Sequence, residues 1–128
     1  MNLNQVTISV KDVEKSIEFY QRLGLELIVK ALPHYARFVC PVGNATFSLH
    51  QDDKIEENKG IWIYFEIESL DKKVEELIEK GFIFDEMPND KTWLWREAYL
   101  TDLDQNRIIL YFAGENRLNP PWRIKEAN

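Results

Sequence analysis

The sequence lacks the features that an internal disulfide, export by a signal peptide or a membrane-spanning segment would require. Cysteine occurs once, at Cys40, so no disulfide can form within the chain, which favours a reducing compartment. The first residues lack the basic start and the long apolar run of a secretory signal. No apolar stretch approaches the roughly 20 residues that cross a bilayer. These absences predict a cytoplasmic protein with no membrane partner.

Positive charge is also in short supply. The chain has 16 Lys and Arg residues against 22 Asp and Glu residues, and a formal net charge of −6. Because nucleic-acid phosphates repel a negative chain, no nucleic-acid partner is expected. With 128 residues, 45% of them hydrophobic and 30% charged, the chain has the size and composition of a single globular domain over residues 1–128. A small-molecule ligand is the expected partner.

The pattern of residues occurs twice along the chain. Residues 8–27 can be laid over residues 65–84 without a gap, and residues 36–50 over residues 97–111. The positions that coincide are Val10 with Ile67, Val13 with Leu70, Ile17 with Val74, Tyr20 with Leu77, Gly24 with Gly81, Phe38 with Tyr99, Phe47 with Ile108 and Leu49 with Leu110. Internal duplication of this kind predicts two copies of one supersecondary unit.

Each copy has the pattern of a strand followed by a capped amphipathic helix. In the first copy, Gln5–Val10 alternates in polarity like a half-buried strand, and Asp12 is the expected helix cap. In the second copy Ser69 is the expected cap, and Gly24 and Gly81 end the two helices. The apolar helix faces consist of Val13, Ile17, Tyr20 and Leu23, and of Leu70, Val74, Leu77 and Ile78.

Turn signals divide the rest of each copy into three strands. They fall at Pro33 and at residues 41–44, 88–90 and 102–106, and the polar stretch 51–60 links the copies. The sequence therefore predicts an α+β fold with two βαβββ modules, at about residues 3–51 and 60–113, and a tail over 114–128. The modules are expected to form a cupped mixed sheet with helices on its outer face.

Strand alternation assigns side chains to the sheet face that the helices leave uncovered. Leu94, Ala98 and Leu100 are expected on the helix side of a strand over residues 93–101, and Phe112 on that of the last strand. The uncovered face then carries Gln5, Thr7, Ser9, Thr46, Ser48, His50, Trp62, Tyr64, Glu66, Trp93, Trp95, Glu97, Tyr99, Thr101, Arg107, Ile109 and Tyr111. Because large rings are costly to expose, we expect a ligand-binding cup, with a dimer interface as the alternative.

Three segments carry a family resemblance. Residues 6–27, VTISVKDVEKSIEFYQRLGLEL, resemble the opening signature of the glyoxalase/bleomycin-resistance (vicinal oxygen chelate) family. Residues 61–84 resemble its second module, and residues 102–110, DLDQNRIIL, resemble its closing hairpin. The resemblance implies paired βαβββ modules forming a cupped sheet, in many members a homodimer. Glyoxalases, extradiol dioxygenases, fosfomycin-resistance transferases and metal-free bleomycin-binding proteins share this fold.

The resemblance also implies where a metal would bind. The ligand positions of the metal-using members fall on Gln5, Ser48, Trp62 and Ile109. Trp and Ile offer no lone pair, and divalent ions prefer imidazole, carboxylate or thiolate ligands, so no metal and no other cofactor is expected. A displaced metal site built from His50, Glu66 and Glu97 is the alternative.

The closing hairpin departs from the family pattern. Leu103 and Gln105 stand where proline and glycine are usual. Glycine supplies a positive φ angle at such a turn, and Asn106 is expected to take over part of that role. The departure concerns the turn geometry and leaves the predicted fold unchanged.

Three functions from different classes remain open. The favoured one is a metal-free protein that stacks a planar ligand on its aromatic residues and attracts a cationic one with Glu66 and Glu97. The stacking residues would be Trp62, Trp93, Trp95 and Tyr99. The second is an enzyme that uses either the displaced metal or an acid–base residue among Glu66, Glu97 and His50. The third is an interaction module whose aromatic face is consumed in oligomerisation.

Overall fold

A computed structural model describes residues 2–55 and 61–124 as an α+β fold of two βαβββ modules, which confirms the predicted class. Module one comprises β1 (Gln5–Val10), α1 (Val13–Leu23), β2 (Glu26–Ala31), β3 (Tyr35–Val39) and β4 (Thr46–Gln51). Module two comprises β5 (Trp62–Glu66), α2 (Leu70–Glu79), β6 (Glu86–Asp90), β7 (Arg96–Thr101) and β8 (Arg107–Phe112), followed by a 3₁₀ turn over Gly114–Arg117. Residues 56–60 of the predicted link lie outside the described part of the chain.

The two sheets have the same strand order. The order is β1-β4-β3-β2 in module one and β5-β8-β7-β6 in module two. β1 pairs in parallel with β4, and β5 pairs in parallel with β8. The remaining pairs of both sheets are antiparallel. The chain divides into two compact units, of which the first contains module one and the turn Asp102–Asn106, and the second contains the rest of module two.

The helix of module one begins and ends at the residues that the sequence indicates. Asp12 accepts a hydrogen bond from the Lys15 backbone N–H at 3.1 Å, which satisfies a free donor of the first turn. Gly24 takes a φ of 123° after the last turn, where a β-carbon would be strained. The predicted helix face is buried together with side chains of β3 and β4: Val13, Ile17, Tyr20, Leu23, Ala36, Phe38, Phe47 and Leu49.

A buried carboxylate organises the turn between β7 and β8. Asp102 Oδ1 accepts hydrogen bonds from the backbone N–H groups of Asp104 at 2.8 Å and Asn106 at 2.9 Å. Its Oδ2 accepts from the Asn106 side-chain amide at 2.8 Å and from the Tyr20 hydroxyl at 2.6 Å. The positive φ of this turn, 66°, belongs to Gln105, so the prediction that Asn106 takes that role is wrong. The amide of Asn106 holds Asp102 instead.

The helix of module two follows the predicted pattern less closely. Leu70, Val74 and Leu77 are buried, but Ile78 is exposed, so its assignment to the apolar face is wrong. Each helical residue advances the direction of its side chain by about 100°, which carries Ile78 to the edge of the narrow arc that the other three share. Ser69 stands at the N-cap position without a side-chain hydrogen bond to the helix.

Module two also departs from the prediction around β6 and β7. The turn expected at residues 88–90 lies inside β6, and the actual turn occupies residues 91–95. Proline is tolerated at Pro88 because β6 is the last strand of its sheet and its pairing with β7 shifts register between Glu86 and Asn89. Leu94 lies in that turn, exposed and with a φ of 67°, so its predicted place on the helix side is wrong.

Two further predictions on β7 and β8 are corrected. Phe112 ends β8 and is exposed, contrary to its predicted place against the helix. Phe38 pairs with Phe47 in module one, whereas Leu100 pairs with Ile108 in module two, so Phe38 corresponds to Leu100 and not to Tyr99. The reason is the turn before the last strand, which spans residues 40–45 in module one and only residues 102–106 in module two.

Candidate functional site

The sheet face of module two that lies away from α2 holds a compact group of aromatic side chains. Trp95 and Tyr111 stack with their ring centroids 4.6 Å apart and their planes at 16°. Tyr64 meets both rings edge-on, at 5.9 Å from Trp95 and 5.5 Å from Tyr111. Ile109 and Tyr111 are buried in this cluster, against which Tyr99 also packs. The structure thus brings these five predicted residues together.

Glu97 is the buried acid of this group, with 1% of its surface exposed. Its Oε2 accepts a hydrogen bond from Trp93 Nε1 at 2.7 Å, and its Oε1 accepts one from the Tyr99 hydroxyl at 2.6 Å. Within residues 2–55 and 61–124, no Lys, Arg or His forms an ion pair with it. Lys91 lies 4.9 Å from the centre of the Tyr99 ring but pairs with Glu86. A carboxylate is therefore buried here with hydrogen bonds and without a paired cation.

Glu97 contributes to raised pKa values at two neighbouring tyrosines. Burial, followed by the hydrogen bond to Glu97 and its charge, raises the pKa of Tyr99 well above its usual range. Burial and the Glu97 charge also raise the pKa of Tyr64, although the positive charge of Arg107 opposes them. Both hydroxyls consequently stay protonated at neutral pH and remain hydrogen-bond donors.

Three rings of this face are open to solvent. Trp62 is 53% exposed, Tyr64 40% and Trp93 44%, although Trp93 is fixed by its bond to Glu97. The guanidinium carbon of Arg107 lies 5.1 Å from the centre of the Trp62 ring, a cation–π arrangement. We call the side chains of Trp62, Tyr64, Trp93, Trp95, Tyr99 and Tyr111 the aromatic face of module two.

Glu66 has a structural role that the sequence did not reveal. Its Oε2 accepts hydrogen bonds from the backbone N–H groups of Ala113 at 2.9 Å and Gly114 at 3.0 Å, at the start of the 3₁₀ turn. Its Oε1 lies 3.7 Å from Nε of Arg117. Because Glu66 holds the turn and already has a cation, Arg117, beside it, Glu66 is a weaker candidate for binding a cationic ligand than Glu97.

Module one has a different set of polar groups on the sheet face away from α1. Gln5 Nε2 donates a hydrogen bond to Ser48 Oγ at 2.9 Å, and Ser48 Oγ shares one with the Tyr35 hydroxyl at 2.7 Å. Arg37 Nε donates to the same Tyr35 hydroxyl at 2.8 Å. We call Gln5, Tyr35, Arg37, Ser48 and His50 the polar face of module one.

Tyr35 and Arg37 were not among the predicted site residues, although the sequence carries a signal for them. In β3, Ala36 and Phe38 are fully buried on the helix side, so alternation puts Tyr35 and Arg37 on the other face. Tyr35 pairs across the ladder with His50, and Arg37 pairs with Ser48. The same parity rule, applied to β3, finds both.

Neither module assembles the metal site that the resemblance implies. Gln5 and Ser48 are bonded to each other, Trp62 lies beside Arg107, and Ile109 is a fully buried aliphatic side chain. These four groups do not fit a divalent ion, which prefers imidazole, carboxylate or thiolate ligands. In the described parts of the chain, no three His, Cys, Asp or Glu side chains are grouped to hold a metal, and His50 is exposed. The displaced site of His50, Glu66 and Glu97 draws on both units and stays a prediction.

Two cavities of the first unit lie apart from the predicted site residues. The larger, of about 440 Å³, is lined by residues 11–14 with Leu32, Pro33 and Gln51. The smaller, of about 310 Å³, is lined by Lys11, Ile55 and residues 103–105. Neither is lined by a residue of the aromatic or the polar face.

No helix within residues 2–55 and 61–124 is both long and apolar enough to span a membrane.

Comparison with known proteins gives a consistent family. The chain is 32% identical over 127 residues to the uncharacterized protein YraH of Bacillus subtilis strain 168, with 87% of this chain and 98% of that protein covered. It is 26% identical over 121 residues to a probable trivalent organoarsenical cleaving enzyme of the same organism, with 91% and 83% covered. A glyoxalase/bleomycin resistance protein/dioxygenase from Nocardioides superposes with a TM-score of 0.75 at 22% identity, covering 98% of this chain and 90% of that one.

The family model of the Glyoxalase/Bleomycin resistance protein/Dioxygenase superfamily matches residues 2–110. This range takes in both βαβββ modules, from before β1 to within β8. The protein belongs to the glyoxalase/bleomycin resistance protein/dioxygenase superfamily.

Proposed function

We propose that the protein binds a small, planar, cationic organic molecule on the aromatic face of module two and needs no metal to do so. The observation that carries this proposal is Glu97, a buried carboxylate held by Trp93 and Tyr99 and not paired with a cation in the described residues. It lies beside aromatic rings that are half exposed.

The preference for a cation follows from the cost of burying a charge. A buried carboxylate is stable only when hydrogen bonds or an opposite charge replace the lost water. Glu97 has the hydrogen bonds, so a bound cation would supply the missing charge. The rings add to this attraction because the face of a Trp or Tyr ring is negative, as the contact of Arg107 with Trp62 illustrates.

The preference for a planar molecule follows from the geometry of the rings. Trp95 and Tyr111 are stacked and Tyr64 braces them edge-on, so the cluster is held rigid from within. Trp62 and Trp93 leave about half of their surface open, and apolar ring surface of this kind is costly to leave in water. A flat aromatic ligand would cover it by stacking.

An enzyme is the second candidate, and a relative's name favours it. The chain is similar to a probable trivalent organoarsenical cleaving enzyme. If this chain catalyses a reaction, Glu97 is the acid–base candidate, because it is bonded to Trp93 and Tyr99 of the aromatic face, whereas Glu66 holds the 3₁₀ turn beside Arg117. The single-domain organisation, the homodimer and the cytoplasmic location remain predictions.

Isothermal titration calorimetry with two dyes tests the proposed function. Proflavine is planar and cationic, and acridine is its uncharged analogue at slightly alkaline pH. We expect proflavine to bind more tightly than acridine. Glu97→Gln should weaken proflavine about tenfold or more while leaving acridine unchanged, because it removes one charge of a desolvated pair.

Two tryptophan variants complete this test. Trp62→Ala should weaken both dyes, because it removes a stacking surface without a change of charge. Trp122→Ala is the matched control, since Trp122 is also an exposed tryptophan but lies outside the aromatic face. Equal binding of proflavine by the wild type, Glu97→Gln and Trp62→Ala would contradict the proposal.

A further inference from the structure

Arg37 is a half-buried cation without an ion-pair partner. Its Nε donates to the Tyr35 hydroxyl at 2.8 Å, and its guanidinium carbon lies 5.4 Å from the centre of the Tyr35 ring. Among residues 2–55 and 61–124, no carboxylate pairs with it, and its two terminal nitrogens have no hydrogen-bond acceptor. The two-pronged end of the guanidinium group is thus available to an acceptor from outside the protein.

The group that holds Arg37 is itself fixed. Ser48 is fully buried and bonds both the Tyr35 hydroxyl and Gln5 Nε2, so the phenol that orients Arg37 has little freedom to move. Partial burial acts to raise the pKa of Tyr35, but the hydrogen bonds with Ser48 and Arg37 and the charge of Arg37 outweigh it and lower that pKa. A cation oriented before binding loses less entropy when a ligand arrives.

The neighbouring strand leaves the approach to Arg37 apolar. Across the β2–β3 ladder, Val29 lies opposite Arg37 and Ala31 lies opposite Tyr35. Glu26 is the acid of β2 on this face, opposite Val39, and it does not pair with Arg37. On β2, β3 and β4 a ligand at this place therefore meets the positive charge of Arg37, hydroxyl groups and small apolar side chains.

We propose that Arg37, on the polar face of module one, binds the carboxylate of a small organic acid. A carboxylate suits it because two parallel N–H bonds from a guanidinium group match the two oxygens of that anion. A single arginine also balances a monoanion, whereas a phosphate dianion would call for more positive charge. Val29 and Ala31 would contact the organic part of the acid. This site belongs to module one, and its test does not depend on the function proposed for module two.

Nuclear magnetic resonance titration with benzoate tests the site. Sodium benzoate is exchanged for sodium chloride at constant ionic strength, and signals of the arginine Nε–H groups and of the backbone amides are followed. We expect saturable shifts at Arg37 and at the amides of β3. Shifts that rise without saturation, or that saturate only at other arginines, would overturn the proposal. This outcome can be recognised with the wild-type protein alone.

Variants separate the guanidinium group from general charge. Arg37→Gln should weaken benzoate about tenfold or more, because a charge-assisted bidentate contact is lost. Arg22→Gln, on the exposed side of α1, removes the same charge from the same module and should leave binding unchanged. Tyr35→Phe keeps Arg37 but removes the hydroxyl that orients it, and should weaken binding to a smaller extent. Benzoate bound equally by wild type and Arg37→Gln would refute the site.

Discussion

The Tyr20 hydroxyl stabilises the first unit through one bond that Tyr20→Phe would remove. The ring is fully buried, and its hydroxyl donates to Asp102 Oδ2 at 2.6 Å. A hydrogen bond to a charged acceptor contributes about 1.5–3 kcal/mol to folding. Since Asp102 keeps the three donors of Asp104 and Asn106, the carboxylate is not left unsatisfied. We expect a loss at the lower end of this range, about 1.5–2 kcal/mol.

Urea unfolding, followed by tryptophan fluorescence and circular dichroism, measures this loss. Tyr64→Phe is the matched control, because it removes a phenolic hydroxyl that is partly exposed and has no hydrogen bond to the residues described. The control should change the free energy of unfolding by less than about 0.5 kcal/mol. If both variants lose the same amount, the buried Tyr20–Asp102 bond is not the source of the stability assigned to it.

The same variant should change how stability depends on pH. Burial and the charge of Asp102 raise the pKa of Tyr20 above its usual value of 10.0. The unfolded chain therefore releases this proton first, so the contribution of Tyr20 is complete below about pH 10 and is lost as the pH rises towards the folded pKa. Tyr20→Phe should lose less stability than the wild type above that pH. Parallel curves for the two proteins would refute the reasoning.

Three further predictions concern helix caps, turn strain and metal. Asp12→Ala should lower the free energy of unfolding by about 1 kcal/mol, because it removes the hydrogen bond from the Lys15 N–H. Ser69→Ala should lower it by less than about 0.5 kcal/mol, because Ser69 makes no such bond. Thermal denaturation compares the two variants. Gln105→Gly should raise the free energy of unfolding by about 0.5–1 kcal/mol, because Gln105 has a φ of 66°; a lowered midpoint in urea would contradict this. Treatment with a chelator should leave proflavine binding unchanged by calorimetry, and a loss that zinc restores would contradict the metal-free proposal.

The elements that could be predicted from sequence are those whose pattern is local. α1 was predicted with its cap and buried face because periodicity, Asp12 and Gly24 all indicate the same helix. The turn predicted at Pro88 was wrong because proline is excluded from central strands but tolerated at an edge, and the place of β6 in its sheet is not visible locally. Leu94 was misplaced for the same reason, since the end of β6 decides where the turn begins.

The candidate site was predictable as a set of side chains on one face, but the bonds among them were not. Alternation put Glu97 and Tyr99 on one face of β7 and Ile109 and Tyr111 on one face of β8. It could not show that Glu66 caps a turn 47 residues further along the chain, because no local pattern marks that turn. It likewise could not show the hydrogen bond from Trp93 to Glu97, because Trp93 lies in the turn before β7 and outside the alternation of that strand.

On the face away from the helix, the third strands of the two modules, β3 and β7, each carry one tyrosine and one charged residue, at exchanged positions. With the one-residue difference between the turns taken into account, Tyr35 corresponds to Glu97 and Arg37 to Tyr99, since their ladder partners correspond in the same way. In both strands the tyrosine and the charged residue lie two residues apart, and the tyrosine hydroxyl is hydrogen-bonded to the charged group. The hydroxyl accepts from a guanidinium group in module one and donates to a carboxylate in module two. A tyrosine hydroxyl can bond to a cation or to an anion, because it both accepts and donates hydrogen bonds. In the two sites that we propose, one strand geometry would orient a cation towards an organic acid in module one and a carboxylate towards an organic cation in module two.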